Sequence, residues 1–289
     1  MQLLIQSLLS GILIGGLYSI IAIGVTLNWG LMSVINLAHF SLSFVAAYIT
    51  YQFSIDTGYD PFLSLFFTIP LFFMIGVVFQ WFFEKFQIEH FISLLVTFGM
   101  FVILESIMRE IWSADFRTLP VENVQYRVNS VWIGSFALPI PRLSAFIAAI
   151  ILSAGTWYFM ERTYPGKALR AISQDRAIAA AYGVNHHQLA LLLGGITGIY
   201  AAIAGAFIAV TFVLHPAGAT EFIGIIFAVV ILGGLGNTVG AFGGGMIVGI
   251  THGVTSATIG PEFSPLVTFS LLILVLLFRP EGLFSRSTA

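Results

Sequence analysis

Four polar side chains interrupt the apolar runs of this sequence and could contact a polar solute there. Asn36 and His39 are three residues apart, so they share one face of any helix that contains both, and Asn237 and His252 lie in or beside a later apolar run. Polar groups in such runs usually face a helix-bundle interior or a wet cavity. We therefore predict that Asn36, His39, Asn237 and His252 line a polar pathway between helices, with ordinary buried packing as the alternative interpretation.

A second group of polar residues is concentrated in one short segment, residues 161–187. Only 8% of the chain is charged, yet six charges fall within the sixteen residues 161–176. Pro165 and Gly166 break the preceding apolar run and Gly183 suits a helix C-cap, so we predict one or two short amphipathic helices. They could rest on anionic lipid, but the Ala-rich stretch 177–181 favours docking against protein. The charged residues that would orient such a contact are Lys167, Arg170, Asp175 and Arg176.

The residue types needed for catalysis or cofactor binding do not come together in this sequence. The chain has no cysteine, which excludes disulfides, zinc thiolate sites and cysteine nucleophiles. Gly166-Lys167 is followed by Ala168, so this is not a phosphate-binding P-loop. His186 and His187 are adjacent and would diverge on a helix. We therefore predict no catalytic, cofactor-binding or metal-binding residues, and no enzyme activity.

The composition shows which solvent surrounds the chain. Hydrophobic residues make up 58% and charged residues 8%, whereas a soluble domain typically carries about 25% charged residues. Because so few charges cannot cover a water-exposed surface, lipid must be the main solvent around this chain. The composition therefore predicts a polytopic membrane protein. The net charge of −2 argues against a nucleic-acid partner, because phosphate binding needs a basic surface.

Long charge-free runs divide the chain into eight or nine predicted transmembrane helices. A bilayer core needs about 20 apolar residues per helix, and the backbone at that depth must satisfy its own hydrogen bonds. The predicted fold is therefore an all-α membrane helix bundle, a single domain over residues 1–289, in which the first two spans could include a re-entrant piece. The predicted spans are 4–27, 34–54, 61–83, 91–111, 142–160, 188–213, 220–235, 239–258 and 263–278.

The placement of Lys and Arg predicts the orientation of these spans. Basic residues are enriched on the cytoplasmic side of membrane proteins. With nine spans, the 161–187 segment and the C-terminus lie on one side together with seven basic residues, against four on the other side. We therefore predict that 161–187 and the C-terminus are cytoplasmic and that the 112–141 loop is outside. The cytoplasmic group includes Lys85, Arg279 and Arg286, and the outer group is Arg109, Arg117, Arg127 and Arg142.

Two interruptions of the apolar pattern resemble one another. GLMSVINLAHF at 30–40 and GLGNTVGAFGG at 234–244 each follow one apolar span and open another. Paired interruptions often mark transporter repeats and the pathway between them, although a chance match is the alternative. Glycines four residues apart, such as Gly245, Gly249 and Gly253, predict helix faces that let another backbone approach closely.

Four motifs together resemble one known family. They are GVTLNWGLMSVINLAHF (24–40), ERTYPGKALRAISQDRAIAAAYGV (161–184), GGLGNTVGAFGGGMIVG (233–249) and LLFRPEGLF (276–284). The chain resembles, nearly end to end, the H-type permease subunit of branched-chain amino acid (Liv-type) ABC importers. Phe40 departs from the glycine that is usual in this family after the histidine.

The resemblance implies a set of partners and a location in the bacterial inner membrane. An M-type permease would pair with this chain, two ATP-binding subunits would hydrolyse ATP, and a periplasmic or extracellular binding protein would deliver substrate to the outer face. This chain would bind no cofactor itself and would contact lipid. The 166–183 region resembles the coupling element that docks on the ATPase, which gives Lys167, Arg170, Asp175 and Arg176 that role. Branched-chain or related amino acids are the expected substrates. Urea or short amides, or a stand-alone channel or secondary transporter, are the alternatives.

Overall fold

The fold was analysed in a computed structural model, which describes residues 2–88, 90–120 and 124–284. Arg286, which contributes to the predicted orientation, and residues 121–123 of the 112–141 loop lie outside these ranges. The described residues form eleven α-helices and one hairpin of two short strands, β1 (Ser130–Ile133) and β2 (Phe136–Pro139). The helices are α1 (Gln2–Met32), α2 (Ala38–Thr57), α3 (Leu65–Lys85), α4 (His90–Trp112), α5 (Ile140–Arg162), α6 (Tyr164–Gln174), α7 (Arg176–Ala181), α8 (His186–Thr211), α9 (Gly218–Gly233), α10 (Thr238–Thr258) and α11 (Ser264–Phe278).

A helix lies at each of the nine predicted spans, so the polytopic helix bundle predicted from the sequence is confirmed. Within the described ranges, six segments are long and apolar enough to cross a membrane. They are α1, α4, α5 and α8, and α3 and α11 together with the short 3-10 turn that precedes each of them. Helices α2 and α10 have 20 and 21 residues but are less apolar, and α9 has 16 residues. The hairpin was not predicted.

Helix α1 occupies the centre of the bundle. It packs against α5, α8, α9 and α10, and nearly all of its side chains from Gly11 to Asn28 are buried. Helices α3, α4 and α11 instead expose large apolar side chains such as Phe66, Phe91 and Leu277. These exposed apolar faces suit lipid, as expected for the outer helices of a membrane protein.

Glycines allow α1 to lie against α10 at backbone contact. A Cβ atom on Gly249 would lie 2.6 Å from the Cα of Gly15, and a Cβ on Gly11 would lie 2.6 Å from the carbonyl oxygen of Gly249. No larger side chain fits at these positions without moving a helix. The predicted role of the glycine series is confirmed at this contact.

The two similar interruptions meet at one end of the bundle. A Cβ on Gly236 would lie 3.5 Å from the Cα of Gly30, and Gly236 has a φ of +77°, which favours glycine. Of the helices that flank the two segments, α1 packs against α10 and α2 packs against α9. The similarity of 30–40 and 234–244 as a repeat stays a prediction, but the two segments form one structural unit.

The two ends of the bundle differ in structure. We call the end with residues 113–120 and 124–139 the loop end. There Ala137 exchanges two hydrogen bonds with Gln6, and Arg127, whose pKa is lowered by burial, donates to the carbonyl oxygens of Val210 and Leu119. The opposite end, which we call the α6–α7 end, also holds Lys85 and the described C-terminal residues. The sequence prediction that these elements share one side is therefore confirmed for the described residues.

We predict that Gly249→Ala lowers the stability of the protein by about 1–3 kcal/mol, because the added methyl group forces apart two backbones that cannot repack around it. The measurement is the thermal unfolding temperature of the purified protein in detergent.

Gly99→Ala is the matched control, because a Cβ at Gly99 has nothing within 4 Å and alanine favours a helix. Equal unfolding temperatures for the two variants would show that the α1–α10 contact does not limit stability.

Candidate functional site

The first candidate site is a cluster of buried polar side chains between α1, α2, α3 and α8. Asn28, Asn36, His39, Gln80 and Thr197 are each at most 6% exposed and surround a cavity of about 10 Å³. A cavity of this size has room for about one water molecule. Asn36 and His39 therefore share a buried polar site, as their spacing in the sequence suggested.

Two amide oxygens in this cluster could accept hydrogen bonds from a bound water molecule or solute. Asn28 Nδ2 lies 3.4 Å from Thr197 Oγ1, but among the described residues neither Asn28 Oδ1 nor Asn36 Oδ1 has a hydrogen-bond partner. A buried acceptor without a partner costs about 1–3 kcal/mol. A water molecule or the polar part of a solute would relieve that cost here.

The backbone next to the cluster is held open by hydroxyl groups from α4. Ser33 has a φ of +56° and follows the last residue of α1. Two side chains of α4 then provide hydrogen-bond partners for the backbone between α1 and α2. Thr97 Oγ1 accepts from the Leu37 N–H at 3.1 Å and donates to the Ile35 carbonyl at 3.0 Å. Ser93 Oγ accepts from the Ile35 N–H at 3.2 Å. Non-helical backbone inside a membrane bundle requires such partners.

Phe40 is accommodated without strain, although the related family usually has glycine there. The residue lies inside α2, where a glycine conformation is not needed, and its ring stacks on Phe227 of α9 with centroids 6.1 Å apart. Its ring also meets the edge of His39. The substitution therefore packs α2 against α9 and leaves the backbone at His39 regular.

The second candidate site is a larger cavity between α1, α5 and α10. It has a volume of about 310 Å³ and is lined by polar and apolar side chains, with His252 and Tyr18 in edge-to-face contact at 6.2 Å between ring centroids. His252 thus lines a cavity, but not the one that contains Asn36 and His39. The lining also includes Ser10, Arg142, Phe212 and Ala257.

Arg142 is a residue of this cavity that the sequence analysis missed. It is the third residue of α5, immediately after Pro141, and its Nη1 donates to Ser10 Oγ at 2.6 Å. In the sequence it stands out only as a basic residue near the outer loop. The signal was its position at the beginning of a span, but only the fold shows that it points between α1 and α10.

Asn237 lies in neither cavity. Its Oδ1 accepts a hydrogen bond from the Gly240 N–H at 3.0 Å and so caps α10, while its Nδ2 donates to the Phe284 carbonyl at 2.6 Å. The Leu283 N–H also donates to the Leu232 carbonyl. Asn237 therefore fastens the C-terminal residues to the α9–α10 turn. The four residues predicted to line one pathway occupy three separate places.

The charged segment forms two short helices, α6 and α7, as predicted. Asp175 Oδ1 accepts from the Ile178 N–H at 2.9 Å and caps α7, Gly183 has a φ of +80°, and Asn185 caps α8. Leu169 of α6 is fully buried against the bundle. Asp175 thus has a local structural role.

Both arginines predicted to take part in coupling pair with carboxylates of the same chain. Arg170 binds Glu161 at 2.7 Å, and Arg176 lies 3.8 Å from Glu84, which also lies 3.3 Å from His186. Glu84, at the end of α3, was not predicted to take part. Lys167 is exposed. The charges therefore hold α6 and α7 against the bundle, and the exposed apolar residues of this surface are Tyr164, Ile178 and Tyr182.

A bundle of apolar helices that encloses polar side chains, with a short helical pair at one end, is the architecture of a polytopic membrane protein. Residues 7–276 match the family described as the permease component of a branched-chain amino acid transport system, and the chain belongs to this family. The function predicted from the sequence, an ABC permease component for branched-chain amino acids, and its non-enzymatic character are confirmed by that membership.

Curated relatives match over almost the full length of the chain. The high-affinity branched-chain amino acid transport system permease protein LivH of Escherichia coli K12 is 27% identical over 98% of this chain and 96% of its own length. BraD of Pseudomonas aeruginosa is 25% identical with the same coverage. A probable LivH of Methanocaldococcus jannaschii is 25% identical over 94% of this chain and 90% of its own. No solved structure gives a significant match.

We predict that replacing Asn36 and His39 together by leucine lowers substrate uptake about tenfold or more, the equivalent of one lost hydrogen bond of about 1.4 kcal/mol. The physical reason is that the cluster loses the Asn36 amide oxygen, one of its two amide acceptors without a partner among the described residues, and the His39 imidazole. Uptake is measured with the assembled transporter in liposomes, and folding by size-exclusion chromatography.

Thr50→Ala is the control for loss of a buried polar group on the same helix. The Thr50 hydroxyl is hydrogen-bonded to the Ser64 hydroxyl, with 2.9 Å between the two oxygens, and neither residue lines the cluster. Normal uptake by a well-folded Asn36→Leu/His39→Leu protein would assign the pair to structure instead.

Proposed function

We propose that this chain is one of two permease subunits of an ATP-driven importer for branched-chain or related amino acids. An M-type permease is the second subunit, two ATP-binding subunits hydrolyse ATP, and a periplasmic or extracellular binding protein brings the substrate. Family membership supports the class of substrate. The observation that carries the ATP-driven assembly is the surface of α6 and α7.

The α6–α7 surface has the properties of a docking site for a protein. Tyr182 is 85% exposed and Ile178 is 58% exposed, beside an alanine run that lets a partner approach closely. The opposite face of α6 is buried through Leu169, and the Arg170–Glu161 ion pair at 2.7 Å connects α6 to the end of α5. A rigid helix pair with an apolar outer face suits an ATPase cleft better than a flexible loop does, because less entropy is lost on docking.

The proposed orientation places the α6–α7 end in the cytoplasm, with the C-terminus, and the loop end outside. The described basic residues at the α6–α7 end outnumber those at the loop end, which is the bias expected for cytoplasmic loops. The 112–141 loop then faces the binding protein. With nine spans, the N-terminus also lies outside.

A stand-alone secondary transporter is less well supported. Ion coupling requires carboxylates inside the bundle. Glu105 pairs with Arg109 at 2.7 Å on the same helix face, and the Glu221 side chain is 70% exposed. Neither residue lines the polar cluster or the larger cavity. Urea and short amides are also less well supported as substrates, because the matching family is described for branched-chain amino acids.

We predict that the purified chain alone in liposomes takes up no substrate, and that uptake begins when both ATP-binding subunits, the second permease, the binding protein and ATP are present. The reason is that this chain lacks a P-loop. Radiolabelled leucine uptake measures this. Uptake by the chain alone without ATP would contradict the proposal.

We predict that Tyr182→Ala weakens binding of the ATP-binding subunits about tenfold or more, as expected for an exposed tyrosine at the centre of an interface. The measurement is copurification of these subunits, with binding-protein-stimulated ATP hydrolysis as the second readout. Charge reversal at Arg170 or Arg176 is a poorer probe, because it also places like charges beside Glu161 or Glu84.

Tyr59→Ala is the matched control, because Tyr59 is 63% exposed but lies at the loop end. If Tyr182→Ala and Tyr59→Ala copurify the ATP-binding subunits equally and support equal hydrolysis, α6 and α7 are not the docking site.

A further inference from the structure

Arg142 has no acidic partner in the cavity between α1, α5 and α10. Its one hydrogen bond to a neighbouring side chain in the described residues is the donation from Nη1 to Ser10 Oγ at 2.6 Å. Within residues 2–88, 90–120 and 124–284, no Asp or Glu lies within 4.0 Å of its guanidinium. A guanidinium between membrane helices is costly unless an anion is paired with it.

The position of Arg142 makes this arrangement unusual. Arginine and lysine favour cytoplasmic ends of spans, whereas Arg142 begins α5 at the loop end, which is outside in the proposed orientation. The side chain is also partly buried and lines the cavity between the helices. Orientation of the chain in the membrane therefore does not account for it.

The remaining walls of the cavity suit the rest of a small amphiphilic ligand. Ile14, Phe212 and Ala257 provide apolar surface, while Tyr18 and His252 provide polar groups on the α1 and α10 sides. The volume of about 310 Å³ is at the lower end of the range of about 300–1,000 Å³ for small-molecule sites. The cavity thus combines one cation with an apolar wall.

We propose that this cavity binds an amino-acid substrate on its way through the membrane, with Arg142 binding the α-carboxylate and Ser10 positioning the guanidinium. The apolar side chain of the substrate lies against Ile14, Phe212 and Ala257. The inference rests on the proposed import function and narrows its substrate class. Neutral urea and amides would make no charge pair with Arg142, so the cavity favours ligands that carry a carboxylate.

The first test is leucine uptake by the complete importer in liposomes with Arg142→Gln. We expect uptake to fall about 10- to 100-fold, because a charge-assisted hydrogen bond is lost. Arg142→Lys retains the charge but not the planar guanidinium, so its leucine uptake should fall less than that of Arg142→Gln. Arg109→Gln, which removes an exposed cation from α4, should leave uptake unchanged. Equal uptake by Arg142→Gln and Arg109→Gln would overturn the proposal.

The second test keeps Arg142 and so does not depend on the folding of its variants. Because the chain has no cysteine, Ala257→Cys places a single thiol on the cavity wall. In the complete importer, we expect leucine to slow maleimide labelling of this thiol, and leucinamide and urea to have no effect. Thr57→Cys at the loop end is the control, with leucine-independent labelling. Equal protection by leucine and leucinamide, or protection by neither, would overturn carboxylate binding.

The two levels of the proposal fail in different ways. If the ATP-binding subunits do not assemble with the wild-type chain, the proposed function is wrong. If the importer assembles and takes up leucine with ATP, but leucine does not protect Ala257→Cys and Arg142→Gln transports normally, only the cavity assignment is wrong.

Discussion

Helices in lipid gain little from hiding apolar side chains from one another, so they associate through close contact between their backbones. The rest of this structure depends on that constraint at the glycine contact between α1 and α10. Because Gly15 and Gly249 let the two backbones touch, α1 can lie in the centre of the bundle. Both candidate sites are built on it, the polar cluster through Asn28 and the larger cavity through Tyr18.

Much of the fold could be predicted because span length and charge distribution are local properties of the sequence. The nine helices, the caps at Gly183 and Asn185 and the short pair α6 and α7 all follow from local signals. The hairpin 130–139 was missed because its strands have four residues each, too few for a reliable alternating pattern. The two-residue turn Gly134-Ser135 between Ile133 and Phe136 is a hairpin signal that the sequence does carry, but it was not used.

Less of the candidate site could be predicted, because its residues meet only through tertiary contacts. Asn36 and His39 were grouped correctly since three residues along a helix is a local relation. Arg142 meets Ser10 across 132 residues of sequence, and Glu84 meets Arg176 from a different helix. Asn237 looked like a pathway residue because of its position beside a span, but a capping role explains the same position equally well.

The central position of α1 has a consequence for how the protein is made. Helix α1 ends at Met32, but its main partner α10 begins only at Thr238. At a synthesis rate of about 5–20 residues per second, α1 must wait on the order of 10–40 s for α10. During that time the glycine face of α1 has no native neighbour. Lipid or the insertion machinery must therefore cover this innermost helix until α10 has been synthesised.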